Sequence, residues 1–324
     1  MNQMSVFTML IGLPWPGSGK STYARDYVTT RRGTIVVSSD DIRQELWGDA
    51  NDQQNPSKVF DEMFIRTVSA MKKGKNVIYD ATNLTAKTRK ATLTRLRQAL
   101  NQDFIAVADV IVCSISECKR RQGMRDRKVP DEVIDRMVRQ FQTPWYNEGW
   151  DTINVISRGK KQNIDREHWR MLGESHDNHR HSLSLELHCA AASSGIYDRL
   201  KDNTAFSDYG KKMMIEAGLQ HDLGKHKTKA FKDSRGNPSD EAHYYSHDNV
   251  GAYLWLSGDK DGEWTKEAFL FIALLIQWHM QPYFLRDKDG NYATKFKEWC
   301  DKKGFDTMFY ESICLLHEAD KAAH

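Results

Sequence analysis

Two stretches of this 324-residue sequence carry residue types that can handle phosphate, and they lie in different halves of the chain. Near the N-terminus, Gly17-Ser18-Gly19-Lys20-Ser21-Thr22 follows the short apolar run from Val6 to Leu13. A phosphate-binding loop needs backbone N–H groups converging on one cavity, a helix N-terminus behind them, a lysine for the outer phosphates and a hydroxyl for magnesium. This stretch supplies those parts in order, ending in Lys20 and Ser21. Counting back from Gly19 puts Pro14 where the first glycine of GxxxxGK[ST] belongs, and Trp15-Pro16 reads as an inserted pair. Proline has no N–H and cannot take a positive φ, so the loop entrance is expected to differ from the usual one. In the second half stands His221-Asp222-Leu223-Gly224-Lys225, and all twelve histidines fall after residue 150. A hydrolytic metal site wants imidazoles and a carboxylate able to bridge two cations, and His221-Asp222 offers both side by side.

Other candidates surround each motif. Asp40-Asp41-Ile42-Arg43 and Asp80-Ala81-Thr82-Asn83 each end an apolar, β-branched run. That places them where side chains face the crevice at the carboxyl end of a parallel sheet. There a carboxylate can take the proton of an attacking hydroxyl, and an arginine one helical turn on can neutralise a transferred phosphoryl group; an Asp helix cap is the other use of such a pattern. Between Lys119 and Lys128 six basic residues stand against one acid, and Val129-Pro130 stops the run. A cationic lid over a triphosphate has that composition.

The elements that must position these groups follow from periodicity. Strands are expected at Val6 to Ile11, Thr34 to Ser38, Asn76 to Tyr79, Phe104 to Cys113 and Ile153 to Ile156, alternating with helices at Ser21 to Tyr27, Val59 to Lys73 and Lys87 to Leu100. Alternation of that kind means a parallel α/β sheet. After a polar linker from Ser157 to Asn163 the texture is helical, with segments at His181 to Leu200, Gly210 to Gln220, Asn249 to Leu256, Lys266 to Trp278 and Met308 to Ala322. Lys225 to Tyr245 is expected to be helix-free, with turn residues from Asp233 to Pro238. Two domains, 1–157 and 158–324, are therefore expected.

Composition narrows the classes. Residues 1 to 150 hold 23 Lys and Arg against 17 Asp and Glu, and the remainder 24 against 27, so the net charge of +3 hides a basic first half suited to a polyanion. Five cysteines without a CxxC pair argue against a disulfide framework and for a reducing cytoplasm. The start lacks a basic n-region and no apolar run is long enough for a membrane span, so neither export nor a membrane is expected.

Over roughly residues 5 to 157, Gly-Ser-Gly-Lys-Ser-Thr, then Asp-Asp-x-Arg, Asp-Ala-Thr-Asn and an arginine-rich stretch ending in Val-Pro resemble the phage-type polynucleotide 5′-kinases. The resemblance implies an ATP (or other NTP) and Mg2+ site in which Gly17, Ser18, Gly19, Lys20, Ser21 and Thr22 hold the phosphates and Ser21 the magnesium. It implies Asp40 as general base, Arg43 on the acceptor-side phosphate, and Asp80, Thr82 and Asn83 lining the acceptor site. Arg125 would be the lid arginine, with Arg127 its competitor.

From about residue 165 to 324, the order Asn178-His179-Arg180-His181, His221-Asp222, His247, His279 and Asp320 resembles the HD-domain metal-dependent phosphohydrolases. That resemblance implies an all-α domain with two divalent metals. His181, His221, Asp222 and Asp320 would hold the first, with His179 the rival of His181; His247 and His279 would hold the second, bridged by Asp222, and Lys225 would face the scissile phosphate. It leaves His176, His179, His188, His243 and His317 to the helix surface or to positions behind the ligands. Imidazole ligands suit transition metals.

Together the resemblances imply an end-healing enzyme that phosphorylates 5′-OH polynucleotide ends and hydrolyses 2′,3′-cyclic phosphate or 2′/3′-phosphate ends. Its partners would be RNA or DNA ends and a ligase downstream. A nucleoside or sugar kinase fused to an HD nucleotide phosphohydrolase is the alternative enzyme, distinguished by acceptor length. A nucleic-acid-binding module with a metal-free second half is the alternative outside enzymes, distinguished by metal content.

Overall fold

The structure is a computed structural model that describes residues 4–13, 18–124, 130–179 and 182–323. The chain divides into two compact units, Met1–Met137 with Pro144–Lys160, and Val138–Thr143 with Lys161–His324. The main break, between Lys160 and Lys161, lies close to the boundary expected after residue 157, and residues 138–143 group with the second unit. Residues 138–143 join the second unit because Phe141 packs edge-on against Tyr253 at 5.3 Å and Thr143 N–H donates to Gln277 Oε1 at 2.6 Å.

The first unit alternates strands and helices: β1 (Val6–Gly12), α1 (Lys20–Thr30), β2 (Thr34–Ser38), α2 (Ser39–Trp47), α3 (Pro56–Lys72), β3 (Asn76–Asp80), α4 (Ala86–Leu100), β4 (Ile105–Val112), α5 (Ile115–Gly123), α6 (Asp131–Gln140, which runs into the second unit) and β5 (Thr152–Ser157). The five strands are all parallel, in the order β2-β3-β1-β4-β5. Central strand β1 is buried from Phe7 to Gly12, as a parallel strand covered on both faces must be. Its two neighbours leave it in opposite directions of chain order, so the crevice for a ligand opens past its carboxyl end. Register places Leu10 of β1 beside Asp80 of β3 and Asp109 of β4, and Ser38 of β2 beside Asp80. Local chemistry starts the helices on time. Ser38, Asn55, Thr85 and Ser114 each accept the N–H three residues on, capping α2, α3, α4 and α5.

The second unit is helical: α7 (Ile164–Met171), α8 (Leu185–Leu200), α9 (Asp208–Gln220), α10 (Lys225–Thr228), α11 (His247–Leu256), α12 (Lys266–Trp278), α13 (Gln281–Phe284), α14 (Ala293–Lys303) and α15 (Thr307–Ala322). The sequence led to the expectation of an all-α unit, and a short hairpin corrects it. An antiparallel pair, β6 (Ala230–Lys232) with β7 (Pro238–His243), occupies the segment between α10 and α11, and the single turn of α10 falls inside the stretch expected to be helix-free. The hairpin closes because Asp233 Oδ1 accepts the N–H groups of Arg235 and Asn237, a local turn that holds the two short strands together. Helix α12 is buried without interruption from Ala268 to Gln277 and is the axis of the unit, apolar on every side. Helices α9, α11 and α15 pack on it, and α8 on α9 and α15. No helix among the described residues is long and apolar enough to cross a membrane.

Cys113 and Cys118 are paired as a disulfide at the turn from β4 into α5, a pairing the sequence reading did not expect from a spacing outside CxxC. Cys189, Cys300 and Cys314 are free.

Candidate functional site

In the first unit the loop after β1 enters α1 through Gly19, whose φ of 85° suits glycine alone among common residues. A Cβ there would also press the Arg158 side chain at 3.0 Å. Ser18 Oγ donates to Leu13 O at 3.0 Å and ties the loop's two ends. Lys20, the first residue of α1, pairs with Asp80 Oδ1 and donates to Ala81 O at 3.1 Å. Ser21 and Thr22 are exposed at the mouth of the crevice. Gly17, the Pro14 to Pro16 entrance and the lid residues Arg125 and Arg127 lie outside the described residues.

Asp40 and Arg43 pair at 2.9 Å across one turn of α2, with the carboxylate exposed and the arginine buried. Ser38 is the cap of α2, which leaves the Asp40 side chain free of that duty. Burial and the carboxylates of Asp80 and Asp40 push the neighbouring Asp41 above its usual pKa, so three acids crowd the ends of β2 and β3. Thr82 is half-buried, and its carbonyl accepts the Gly12 N–H at 3.3 Å. Asn83 takes a positive φ of 49° and donates to Leu10 O at 2.8 Å. What holds this loop was not singled out from sequence. Arg89, fully buried on α4, makes two bonds to Glu148 at 2.6 and 2.7 Å and donates to the carbonyls of Asn83 and Leu84. Its only sequence trace is an arginine on the buried face of α4, beside Leu93 and Leu96.

The basic run is partly engaged in ion pairs. Arg120 and Arg121 both clasp Glu117, and Lys119 reaches Asp135. Arg121 also donates to Arg158 O at 2.7 Å and lines, with Gly19, Thr22 and Arg158, a cavity of about 410 Å³ beside the phosphate loop.

The second unit gathers its site from four helices and a turn. Asp222 lies in the turn after α9. Its Oδ2 faces His221 Nε2 at 3.3 Å, His188 Nε2 at 3.4 Å and Lys225 Nζ at 2.6 Å. Its Oδ1 faces His247 Nε2 at 3.2 Å and His279 Nε2 at 3.6 Å. Asp320, on α15, completes the first group, 2.9 Å from His188 and 3.4 Å from His221. One carboxylate therefore stands between two sets of imidazoles. Among the described residues the candidate metal-holding triads are His188, His221 and Asp320, then His176, His188 and Asp222, and on the other side Asp222, His247 and His279.

Each imidazole is held from behind. The Nδ1 atoms of His188, His221, His247 and His279 face the carbonyls of Ala323, Gly218, Tyr244 and Ile276 at 2.6 to 2.8 Å. Such bonds make Nδ1 the N–H and turn Nε2 inward as a ligand atom. Burial would raise both carboxyls, but Lys225 and His221 hold Asp222 well below the usual range, and hydrogen bonds from His188 and His221 do the same for Asp320; against the cost of burial the two carboxylates in turn raise His188 and His221, whose Nε2 protons a divalent cation would displace. Burial pushes His279 below its ordinary value. Two ionised acids and inward imidazole nitrogens form a donor set suited to divalent transition metals.

His188, expected on the helix surface or behind the ligands, is fully buried, and its geometry makes it a candidate ligand beside His221 and Asp320. Its position could have shown this, because Leu185, Cys189, Ala192 and Ile196 place it on the core-facing stripe of α8. His176 and His317 are buried rather than on the surface. His176 Nδ1 faces Leu183 O at 2.8 Å and its Nε2 lies 3.3 Å from Lys225. His179 is exposed against Glu241, and His181 lies outside the described residues. Glycine is essential at 224. A Cβ there would stand 2.0 Å from His247 O and 2.6 Å from Gly251 N, so the turn bearing Asp222 and Lys225 meets the start of α11 backbone to backbone.

A cavity of about 920 Å³ opens over the cluster, with Asp222, His247 and Asp320 on its floor and Lys225, Arg286 and Lys321 on its walls.

Residues 7–144 match a protein family described as the AAA domain. The chain is similar to two solved structures of a Pnkp1/Rnl/Hen1 complex, the second described as an RNA repair complex. Identity is 23% and 24% over 40% and 43% of this chain and 42% and 45% of theirs, with TM-scores of 0.33 and 0.36. It thus spans less than half the length of those two chains. It is also similar to a putative kinase from Chloroflexus aurantiacus, at 14% identity over 48% of this chain and 86% of that one, with a TM-score of 0.38. The first unit, which holds most of the matched residues, is of parallel α/β build.

Proposed function

We propose that this chain heals broken polynucleotide ends, transferring phosphate from ATP to a 5′-OH end in its first unit and hydrolysing 2′,3′-cyclic phosphate or 2′/3′-phosphate ends in its second. The observation that carries the reading is Asp222, which presents one oxygen to each of two imidazole sets in a chain that also holds a phosphate loop.

In the first unit, Lys20 stands ready to exchange Asp80 for an outer phosphate, and Ser21 offers its hydroxyl to magnesium beside it. Asp40, exposed and held by Arg43, takes the proton from the acceptor hydroxyl. The second unit belongs to the HD type in this reading. His188, His221, Asp222 and Asp320 would hold one divalent cation, and His247 and His279 with Asp222 would hold another. Paired cations of this kind supply an activated water and a clamp on the phosphoryl oxygens. Lys225 places its charge over the cluster, where a phosphate oxygen would arrive, and Tyr283 fixes Asp320 by donating to its Oδ2 at 2.9 Å. Cleavage that leaves 5′-OH and cyclic phosphate ends requires both repairs before a ligase can act, which is why the two chemistries belong on one chain.

The test is product analysis of a nicked RNA hairpin carrying both end types, incubated with ATP, magnesium and manganese. A 5′-phosphate facing a 3′-OH is expected. Equal transfer rates to free nucleosides and to oligonucleotides would favour the small-molecule kinase instead.

A further inference from the structure

Arg286 takes no part in the cluster, yet it lines the same cavity. Its guanidinium lies 4.4 Å over the ring of Tyr283, and the hydroxyl at the far end of that ring is bonded to Asp320. The arginine is therefore held one tyrosine away from a cluster carboxylate. Among the described residues it has no carboxylate partner, and its buried Nε makes no hydrogen bond. Among the described residues its one polar contact is NH2 to His317 Nε2 at 3.4 Å, and rings of Tyr283 and Tyr292 pack on that imidazole at 4.3 and 4.5 Å. Lys321, exposed one residue beyond Asp320, lines the same wall and likewise has no ion pair among the described residues. The other cation of the cavity, Lys225, is already committed to Asp222. Two uncommitted cations displaced to one side of a phosphate-handling floor call for a second anion on the same ligand. A planar guanidinium with free donors is the side chain best matched to a phosphate.

We propose that Arg286, assisted by Lys321, binds the phosphodiester one nucleotide inward from the end being hydrolysed, so that the cavity selects polynucleotide 3′ ends over isolated phosphate monoesters. This deepens the hydrolase reading above and rests on it for the identity of the first phosphate. The aromatic lining of the cavity agrees with a nucleotide. Tyr245, 43% exposed, stacks on His243 with ring planes 7° apart, and Phe284, 70% exposed, lines the same cavity. Flat, solvent-facing rings beside a phosphate site are where unstacked bases rest.

Calorimetric titration of the full chain with three ligands tests this: a nucleoside 3′-phosphate, a nucleoside 3′,5′-bisphosphate, and a dinucleotide bearing a 3′-phosphate. Hydrolysis is recorded in parallel on the same ligands. The wild type should bind the dinucleotide at least tenfold more tightly than the nucleoside 3′-phosphate. Arg286→Ala should remove that preference while leaving the monophosphate dissociation constant within about twofold, and Arg286→Lys should restore part of it. The first unit contributes equally to both proteins, so the difference reads this cavity alone. The bisphosphate carries its second phosphate on the same 5′-oxygen as the internal phosphodiester and should share the preference; a bisphosphate that binds no more tightly than the nucleoside 3′-phosphate would overturn the contact with that phosphate. Equal affinity for all three ligands in wild type, or equal weakening of all three in Arg286→Ala, would overturn it altogether. Loss of hydrolysis in wild type with the preference intact would sink the hydrolase reading and keep the second-phosphate site.

Discussion

Lys20 and Asp80 form an ion pair whose side chains are 9% and 6% exposed, joining the first residue of α1 to the last of β3 across sixty positions of sequence. The pair fixes the lysine that the proposed function sets against an outer phosphate. Breaking a buried pair from one side leaves an uncompensated charge and costs about 3–5 kcal/mol. Lys20→Ala and Asp80→Ala should each lower unfolding stability by that order, and the double variant should lose less than the sum. Denaturant titration of the three proteins checks the cycle. Lys20→Ala should also abolish phosphate transfer from ATP to a 5′-OH oligonucleotide while 3′-end hydrolysis persists. Loss of both activities in a folded protein would refute independent sites.

Arg89 and Glu148 anchor the Asn83–Leu84 loop from behind. Glu148→Ala should destabilise the first unit by about 3–5 kcal/mol, and the released loop should raise the apparent KM for the 5′-OH acceptor more than that for ATP. Melting curves and steady-state kinetics separate the two effects. Glu148→Gln, which keeps one acceptor for Arg89, should recover part of each.

Asp222 stands between two sets of imidazoles. Asp222→Ala should cost both divalent metals, whereas His279→Ala should cost mainly one, and both should lose hydrolysis of a 2′,3′-cyclic phosphate end. Elemental analysis of the purified proteins measures the metals directly. Full hydrolysis by chelator-treated wild type without added metal would contradict the metal reading.

Gly224→Ala places a methyl 2.0 Å from a backbone carbonyl that cannot move without α11. Hydrolysis should fall at least a hundredfold, because displacement of His247 relative to Asp222 disrupts one side of the cluster, while phosphate transfer stays near wild type. Parallel assays of the two activities give the comparison.

His317 is buried among Tyr283, Tyr292 and Arg286. Burial and the Arg286 charge push it down from 6.5 to about 4. A base with a depressed folded pKa binds its proton more readily when unfolded, so its contribution to stability is complete above pH 6.5 and is lost as pH falls toward 4. His317→Phe should therefore flatten part of the fall in melting temperature between those pH values. An unchanged slope would show that His317 does not titrate in that window.

What the sequence determined by itself is mostly local. Strand positions followed from short β-branched runs, and long helices from periodic apolar faces, since burial of β1 on both faces and of α12 on every side demands such runs. The phosphate loop and the His221-Asp222 pair were legible because their chemistry needs neighbours in sequence. The tertiary structure decided what had to be brought from afar. His188 joins Asp222 and Asp320 only because α8 packs against α9 and α15, and nothing local marks it beyond a polar residue on an apolar stripe. Arg89 reaches Glu148 across 59 positions, and Arg286 reaches the cavity wall through Tyr283. The small hairpin β6–β7 escaped because a three-residue strand carries too few residues for a period to show, and its turn residues read equally well as a loop. Residues 138–143 crossed the expected boundary for a similar reason. Which unit Phe141 packs into depends on where Tyr253 stands, and chain order alone does not carry that information.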